Sequence, residues 1–172
     1  MLRTQLARPH RVPSPSPYGG GVEIRPARAD DEERVRRFLA GLSPRTQTLR
    51  FFTVVSHPGA GFVRALLAVD ERRDVLLAVI GEVVVGHAMS FKGAATDVEI
   101  ALVVADEWQG RGLGSRLTRR LLRRAFAAGA RTLGMDVLGD NRKVLSMVRG
   151  AWPDAIMKAS GGTVEVTATV DL

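Results

Sequence analysis

The sequence predicts a single α/β domain built on a mixed sheet with helices on its faces. Three observations carry that prediction. Segments of period-two and period-3.6 apolar spacing follow one another in the order β-α-α-β-β-β-α-β-α-β. The 172 residues suit one ordinary domain, and 45% hydrophobic content buries a core without cross-links. No internal repeat divides the chain.

Residues 1–21 read as a disordered tail, because Pro9, Pro13, Pro15 and Pro17 alternate with serines ahead of Gly19-Gly20-Gly21. The folded domain is expected over residues 22–172. Val22-Glu23-Ile24-Arg25 alternates as a strand and Pro26 ends it. Asp30, with Glu33 three residues on, predicts the N-cap of a helix whose stripe is Val35, Phe38, Leu39 and Leu42. Ser43-Pro44 starts a second short helix, since proline suits a first turn, and Phe62–Val69 is a further helical piece.

Val75–Ile80 and Val83–Phe91, joined by Gly81-Glu82, read as a hairpin, and Asp97–Val104 extends it into a meander. After a glycine-rich turn, Leu113, Leu117, Leu121 and Ala125 mark a helix. Thr132–Leu138 returns to strand, and Asn141 opens a helix toward Val148. Gly161-Gly162 introduces a strand over Thr163–Val170, with Val164, Val166, Ala168 and Val170 on one face.

The absence of cysteine excludes disulfides, thiolate zinc sites and a cysteine nucleophile. His10, His57 and His87 show no metal-ligand spacing, so no metal is expected. The N-terminus lacks the apolar core of a signal peptide and no apolar run approaches bilayer length, which predicts a soluble cytoplasmic protein without membrane partners. The net charge of +7 would ordinarily raise nucleic acid, but the excess is almost all arginine; the lysines are Lys92, Lys143 and Lys158. Together with abundant Ala, Gly and Val, that is the signature of GC-rich coding. With aromatics at 5% there are no interleaved stacking platforms, so nucleic acid is disfavoured. Arg116, Arg119, Arg120, Arg123 and Arg124 read as a solvated helix face, and Met135, Met147 and Met157 as core filler.

The chemistry concentrates in Gln109-Gly110-Arg111-Gly112-Leu113-Gly114-Ser115, between a strong strand and a strong helix. Glycines let the backbone approach an anion, and a helix start presents unpaired N–H groups and about half a positive charge. Phosphate is the natural ligand. A P-loop would need a lysine after the last glycine, and a Rossmann loop would follow the first strand; both fail here.

Gln-x-x-Gly-x-Gly after such a strand resembles motif A of the GNAT acetyltransferases, with the likeness running from about Val22 to Val148. The resemblance implies a mostly antiparallel sheet, acetyl-CoA as co-substrate, and no metal. It implies that the loop Gln109–Ser115 wraps the coenzyme A pyrophosphate, that Leu102, Val103 and Val104 pair through their backbone with pantetheine, and that Asn141 lies near pantetheine. For Asn141 a helix N-cap is an equal alternative. The string Leu42-Ser43-Pro44 with Leu49-Arg50-Phe51-Phe52 is similar to the first helices of bacterial Pat-type protein lysine acetyltransferases, with Thr48 where a tyrosine is usual.

A lysine acceptor arrives protonated at a pKa near 10.4, so a base is required. Glu99, on one strand face with Asp97, Ala101 and Val103, resembles the family's general base on the fourth strand; the alternative is a surface glutamate paired with arginine. The tyrosine that many GNAT enzymes use to protonate the leaving thiolate would fall at Val148, and the sole tyrosine is Tyr18, in the tail. A thiol of pKa about 8.5 leaves tolerably without help, and Ser146 or a water is a substitute. Trp152-Pro153-Asp154 replaces the family's usual Gly-Phe ending. The expected activity is acetyl transfer to a primary amine, first a protein lysine and second a small amine. The competing reading is an acyl-CoA sensor without turnover. Homo-oligomerisation stays open.

Overall fold

The computed structural model describes residues 21 to 170; the expected tail at 1–21 lies, but for Gly21, outside them. The elements are β1 (Glu23–Pro26), α1 (Glu32–Gly41), α2 (Pro44–Phe51), α3 (Ala60–Leu67), β2 (Arg73–Ile80), β3 (Val83–Lys92), β4 (Val98–Val104), α4 (Leu113–Ala127), β5 (Thr132–Leu138), α5 (Arg142–Ala151), β6 (Ile156–Ser160) and β7 (Thr163–Thr169). Short 3₁₀ turns precede α1 and follow β4. The seven strands form one sheet in the order β1-β2-β3-β4-β5-β7-β6. Every neighbouring pair is antiparallel except β4 and β5. The expected mixed, mostly antiparallel α/β architecture is therefore the one observed.

Helices cover both faces because β2 and β3 are apolar on both sides. Val75, Leu77 and Val79 point to one face, where Val35, Phe38 and Leu39 of α1 and Val63 and Leu66 of α3 cover them. Leu76, Ala78 and Ile80 point to the other, under Leu113, Leu117 and Leu121 of α4. Leu117 and Leu121 are fully buried, and each such side chain contributes about 1.5–3 kcal/mol by leaving water. Beyond β5, Leu145 and Val148 of α5 pack on Val137 and Val166. The buried set at Val166, Ala168 and Val170 confirms the face expected for the last strand.

Two local expectations are corrected. Asp30 does not cap α1. A 3₁₀ turn over Ala29–Asp31 comes first, and Asp31 is the residue preceding the helix. Its carboxylate is buried against Arg25 at 2.7 and 2.8 Å and accepts the Arg28 N–H at 2.8 Å. Glu33 instead faces Arg36 and Arg37, each at 3.4 Å. An ion pair enclosed by protein outcompetes an exposed cap. The second correction is an added strand. Gly161-Gly162, both at positive φ, do not merely introduce β7 but form the turn of a β6–β7 hairpin. β6 is an edge strand with four of its five residues exposed or nearly so, and it carries no alternation to read.

Candidate functional site

β4 and β5 run parallel and pair only at Val98–Leu133 and Glu99–Gly134. Beyond that point the two strands part, while β4 stays paired to β3 as far as Val104. One backbone edge of β4 over Leu102–Val104 thus lines a cleft of about 430 Å³ instead of joining a neighbour. The cleft is closed on one side by α2, through Thr46, Leu49 and Arg50, and on the other by the start of α5, through Asn141, Val144 and Met147. Its end is the glycine loop, of which Gln109, Gly110, Gly112, Gly114 and Ser115 line the wall.

The loop is built for its turn. Gly110 has φ 72° and Gly112 φ 78°, conformations that L side chains rarely adopt. Gly112 is the N-cap of α4 and carries no side chain to cap it, so the first amides of the helix stay open. Leu113 is 3% exposed and anchors the helix in the core, which leaves its backbone alone to face a ligand. Arg111 stacks over Trp108, its guanidinium carbon 5.1 Å from the ring. The Gln109 amide donates to the Val104 carbonyl at 3.1 Å and to the Thr46 hydroxyl at 3.2 Å. That side chain fastens the loop to β4 and α2, a structural part that sequence reading did not assign.

Asp106 is the second fastening, and sequence reading missed it. Its carboxylate accepts the Ser43 N–H at 2.9 Å, the Ser43 hydroxyl at 2.7 Å and the Thr46 hydroxyl at 2.7 Å. Burial pushes its pKa up, but these three donors outweigh burial and hold it below the ordinary carboxylate value. The serine before a proline, followed by an acid after a strand, was the available signal; the sequence separation of 63 residues hid the partnership.

Glu99 stands at the fork itself, half-buried, opposite Phe91 on β3 and Gly134 on β5. A Cβ on Gly134 would lie 3.3 Å from the Glu99 Cγ, so the glycine leaves this side chain its room. Among the described residues no arginine or other hydrogen-bond donor holds the Glu99 side chain. Asp97, expected on the same face, is just outside β4. Its carboxylate accepts the Arg131 and Thr132 N–H groups at 2.8 and 2.9 Å, and it ties the start of β5 to the start of β4.

Asn141 is the N-cap of α5, its Oδ1 accepting the Val144 N–H at 3.3 Å, while the residue also lines the cleft. Val148 is 3% exposed and packs against β5 and β7, so the tyrosine position of the family pattern points into the core. Ser146 is exposed and not in the cleft wall. Met147, expected in the core, is instead 49% exposed at the cleft, because Leu145 and Val148 take the inward positions of α5. The α4 arginines are exposed as expected; Arg124 pairs with Asp74, and Arg116 donates to the Val22 carbonyl. His57 is exposed and His87 buried, and no group of three or more metal-ligating side chains occurs among the described residues. No helix among them is long and apolar enough to cross a membrane.

Residues 42–149 match the family model described as the acetyltransferase (GNAT) family. An acetyltransferase of Pseudomonas aeruginosa is 29% identical over 121 residues, 67% of this chain and 65% of that protein. Acetyltransferase Pat of Mycolicibacterium smegmatis is 29% identical over 137 residues, 75% of this chain and 41% of that protein. In both cases the match spans less than two thirds of the curated relative. The crystal structure of the GNAT domain of S. lividans Pat superposes with a TM-score of 0.79 at 27% identity, covering 88% of this chain and 92% of the other.

Proposed function

The chain belongs to the acetyltransferase (GNAT) family, and on that footing we infer that residues 22–172 form a cytoplasmic domain transferring acetyl from acetyl-CoA to a primary amine, with a protein lysine as acceptor. The observation that supports this most is the fork between β4 and β5 ending on a glycine-lined helix start. It offers an extended ligand an unpaired strand edge and its phosphates a set of open amides.

In this reading the backbone of Leu102, Val103 and Val104 pairs with pantetheine. The amides of the loop from Gly110 to Ser115 receive the pyrophosphate, Gln109 holds the loop in shape, and Asn141 borders the pantetheine channel. Glu99 takes a proton from the acceptor ammonium, directly or through one water. The freed nitrogen lone pair forms the N–C bond to the acetyl carbonyl carbon, the C–S bond breaks, the nitrogen releases its second proton to solvent, and the departing sulfur takes one up from solvent. Excluding water along the strand edge favours transfer over hydrolysis. The proposal is tested by following thiol release from acetyl-CoA with small amines, lysine peptides and folded lysine-bearing proteins. Amine-dependent release with an acetylated product supports it. Tight acetyl-CoA binding with no amine-dependent release overturns it.

The burial of Val148 favours a second reading, an acyl-CoA sensor without turnover, because the position of the family's tyrosine points into the core and away from the cleft. The same assay separates the two.

A further inference from the structure

Among the described residues Arg50 is a cation without a counter-charge. It lies near the end of α2 and lines the cleft beside Val103 and Val104. Among the described residues it forms neither ion pair nor hydrogen bond, and its Nε is the one buried side-chain polar atom left without a partner. Its guanidinium carbon lies 4.8 Å from the Phe51 ring, a cation–π contact. Burial pulls its pKa down to about 10. Its field reaches His87, whose pKa falls to about 4 chiefly through burial, with the Arg50 charge adding to the effect. His87 itself is engaged with the Leu66 carbonyl at 2.8 Å. Among the described residues no aspartate or glutamate lines the cleft wall; Glu99 stands beyond it, at the fork of β4 and β5.

Holding a half-buried guanidinium with its Nε enclosed and unpaired is costly, and packing alone would be served better by an aliphatic residue. The planar fork of a guanidinium matches a carboxylate in two parallel hydrogen bonds. Two features direct that match toward the acceptor and away from the donor. The exposed cations Arg45 and Lys143 line the same cleft as the loop amides, and these already serve the phosphates in this reading. Arg50 is set one helical turn further in than Thr46, which holds Gln109. It lines the cleft with Val103, on the face of β4 that also carries Glu99, four residues along the strand and about 13 Å away. An acceptor whose amine meets Glu99 can therefore present a second group to Arg50 across the same face.

We propose that Arg50 is a specificity residue that binds a carboxylate on the acceptor, so that the preferred amine is one carried beside an acidic group. This rests on the acetyl-transfer reading above. The carboxylate has two sources, an acidic side chain flanking a target lysine or the α-carboxylate of a free amino acid.

The test compares wild type, Arg50→Gln and Arg50→Lys on four acceptors with acetyl-CoA: a lysine peptide flanked by glutamate, its glutamine counterpart, free lysine and lysinamide. In Arg50→Gln the KM for the carboxylate-bearing member of one pair rises roughly 10- to 100-fold, the worth of a charge-assisted hydrogen bond, while its amide counterpart is unchanged. The pair that responds identifies the source. Acetyl-CoA affinity, read by calorimetry, stays constant, and Arg50→Lys falls between the two because it keeps charge without the fork. Equal losses on carboxylate and amide acceptors overturn the proposal, as does a weakened acetyl-CoA complex, which would make Arg50 a phosphate ligand. A kcat loss common to all four, the mark of oxyanion stabilisation, also overturns it. If wild type transfers to no amine, the acetyl-transfer reading falls by itself. Calorimetry of the CoA-saturated protein with the same four compounds then decides: binding that needs both the carboxylate and Arg50 sustains the proposal, and any other pattern ends it.

Discussion

Ser43 and Asp106, 63 residues apart, are joined by two hydrogen bonds, from the serine N–H at 2.9 Å and its hydroxyl at 2.7 Å. Ser43 is also the N-cap of α2, accepting the Thr46 N–H at 3.2 Å. One contact therefore sets both the start of the helix over the cleft and the turn that leads into the glycine loop.

Asp106→Ala removes three hydrogen bonds to a charged acceptor. Stability is expected to fall by about 1–3 kcal/mol in denaturant titration, with acetyl-CoA affinity weakened as the loop loosens. The pH sign follows from the direction of the shift. A carboxyl held below its ordinary value in the folded state stabilises fully above that ordinary value and loses the contribution as pH falls through the folded one. The wild-type advantage over the variant should therefore vanish in acid. An advantage that persists at low pH would show that the bonds do not depend on the charge.

Asp31 is the sharper acid case. The Arg25 hydrogen bonds, helped by the Arg28 N–H and by Arg34, hold its pKa at about 2 against burial. Asp31→Asn leaves Arg25 buried and uncompensated and should cost about 3 kcal/mol or more at neutral pH. In wild type this contribution is complete above about pH 4 and disappears toward pH 2. Melting curves of the two proteins should converge over that interval; parallel curves would refute the assignment.

The two loop glycines should respond differently. A Cβ on Gly112 meets nothing within 4 Å, but its φ of 78° is unfavourable for alanine. Gly112→Ala should lose about 1–2 kcal/mol of stability and weaken acetyl-CoA as the amides turn away. At Gly114 the added methyl makes only ordinary contact, 3.7 Å from a Leu102 methyl, so Gly114→Ala should fold normally. A normally folded Gly114→Ala with weakened acetyl-CoA binding would place the ligand against that glycine; calorimetry after a melting check reads both.

Glu99→Gln keeps shape and loses proton affinity. Turnover should drop by roughly 10²–10⁴-fold with acetyl-CoA affinity intact, and the defect should shrink as rising pH deprotonates the amine. Gly134→Ala supplies an independent probe, since its Cβ would stand 3.3 Å from the Glu99 Cγ and 2.9 Å from the Thr96 hydroxyl oxygen. It should lower kcat without changing acetyl-CoA affinity. Full activity in both variants would remove Glu99 from the chemistry.

Periodicity by itself determined most of the architecture. The apolar run Val75–Ile80 predicts a strand, Leu113, Leu117 and Leu121 predict α4, and the glycine spacing predicts a sharp turn into that helix. These are local signals, written in the spacing of side chains along a strand or helix. The tertiary structure alone decided the rest, because it depends on which side chains meet once the elements have packed. Asp31 took the place before the helix that Asp30 was expected to hold and turned its carboxylate to Arg25, Gln109 turned inward to Val104 and Thr46, and Val148 went to the core while Met147 faced the cleft. The fork between β4 and β5 has no local signature either. It arises because β4 keeps its antiparallel partner to Val104 while its parallel one departs after Glu99, and that divergence is what turns a strand edge into a site.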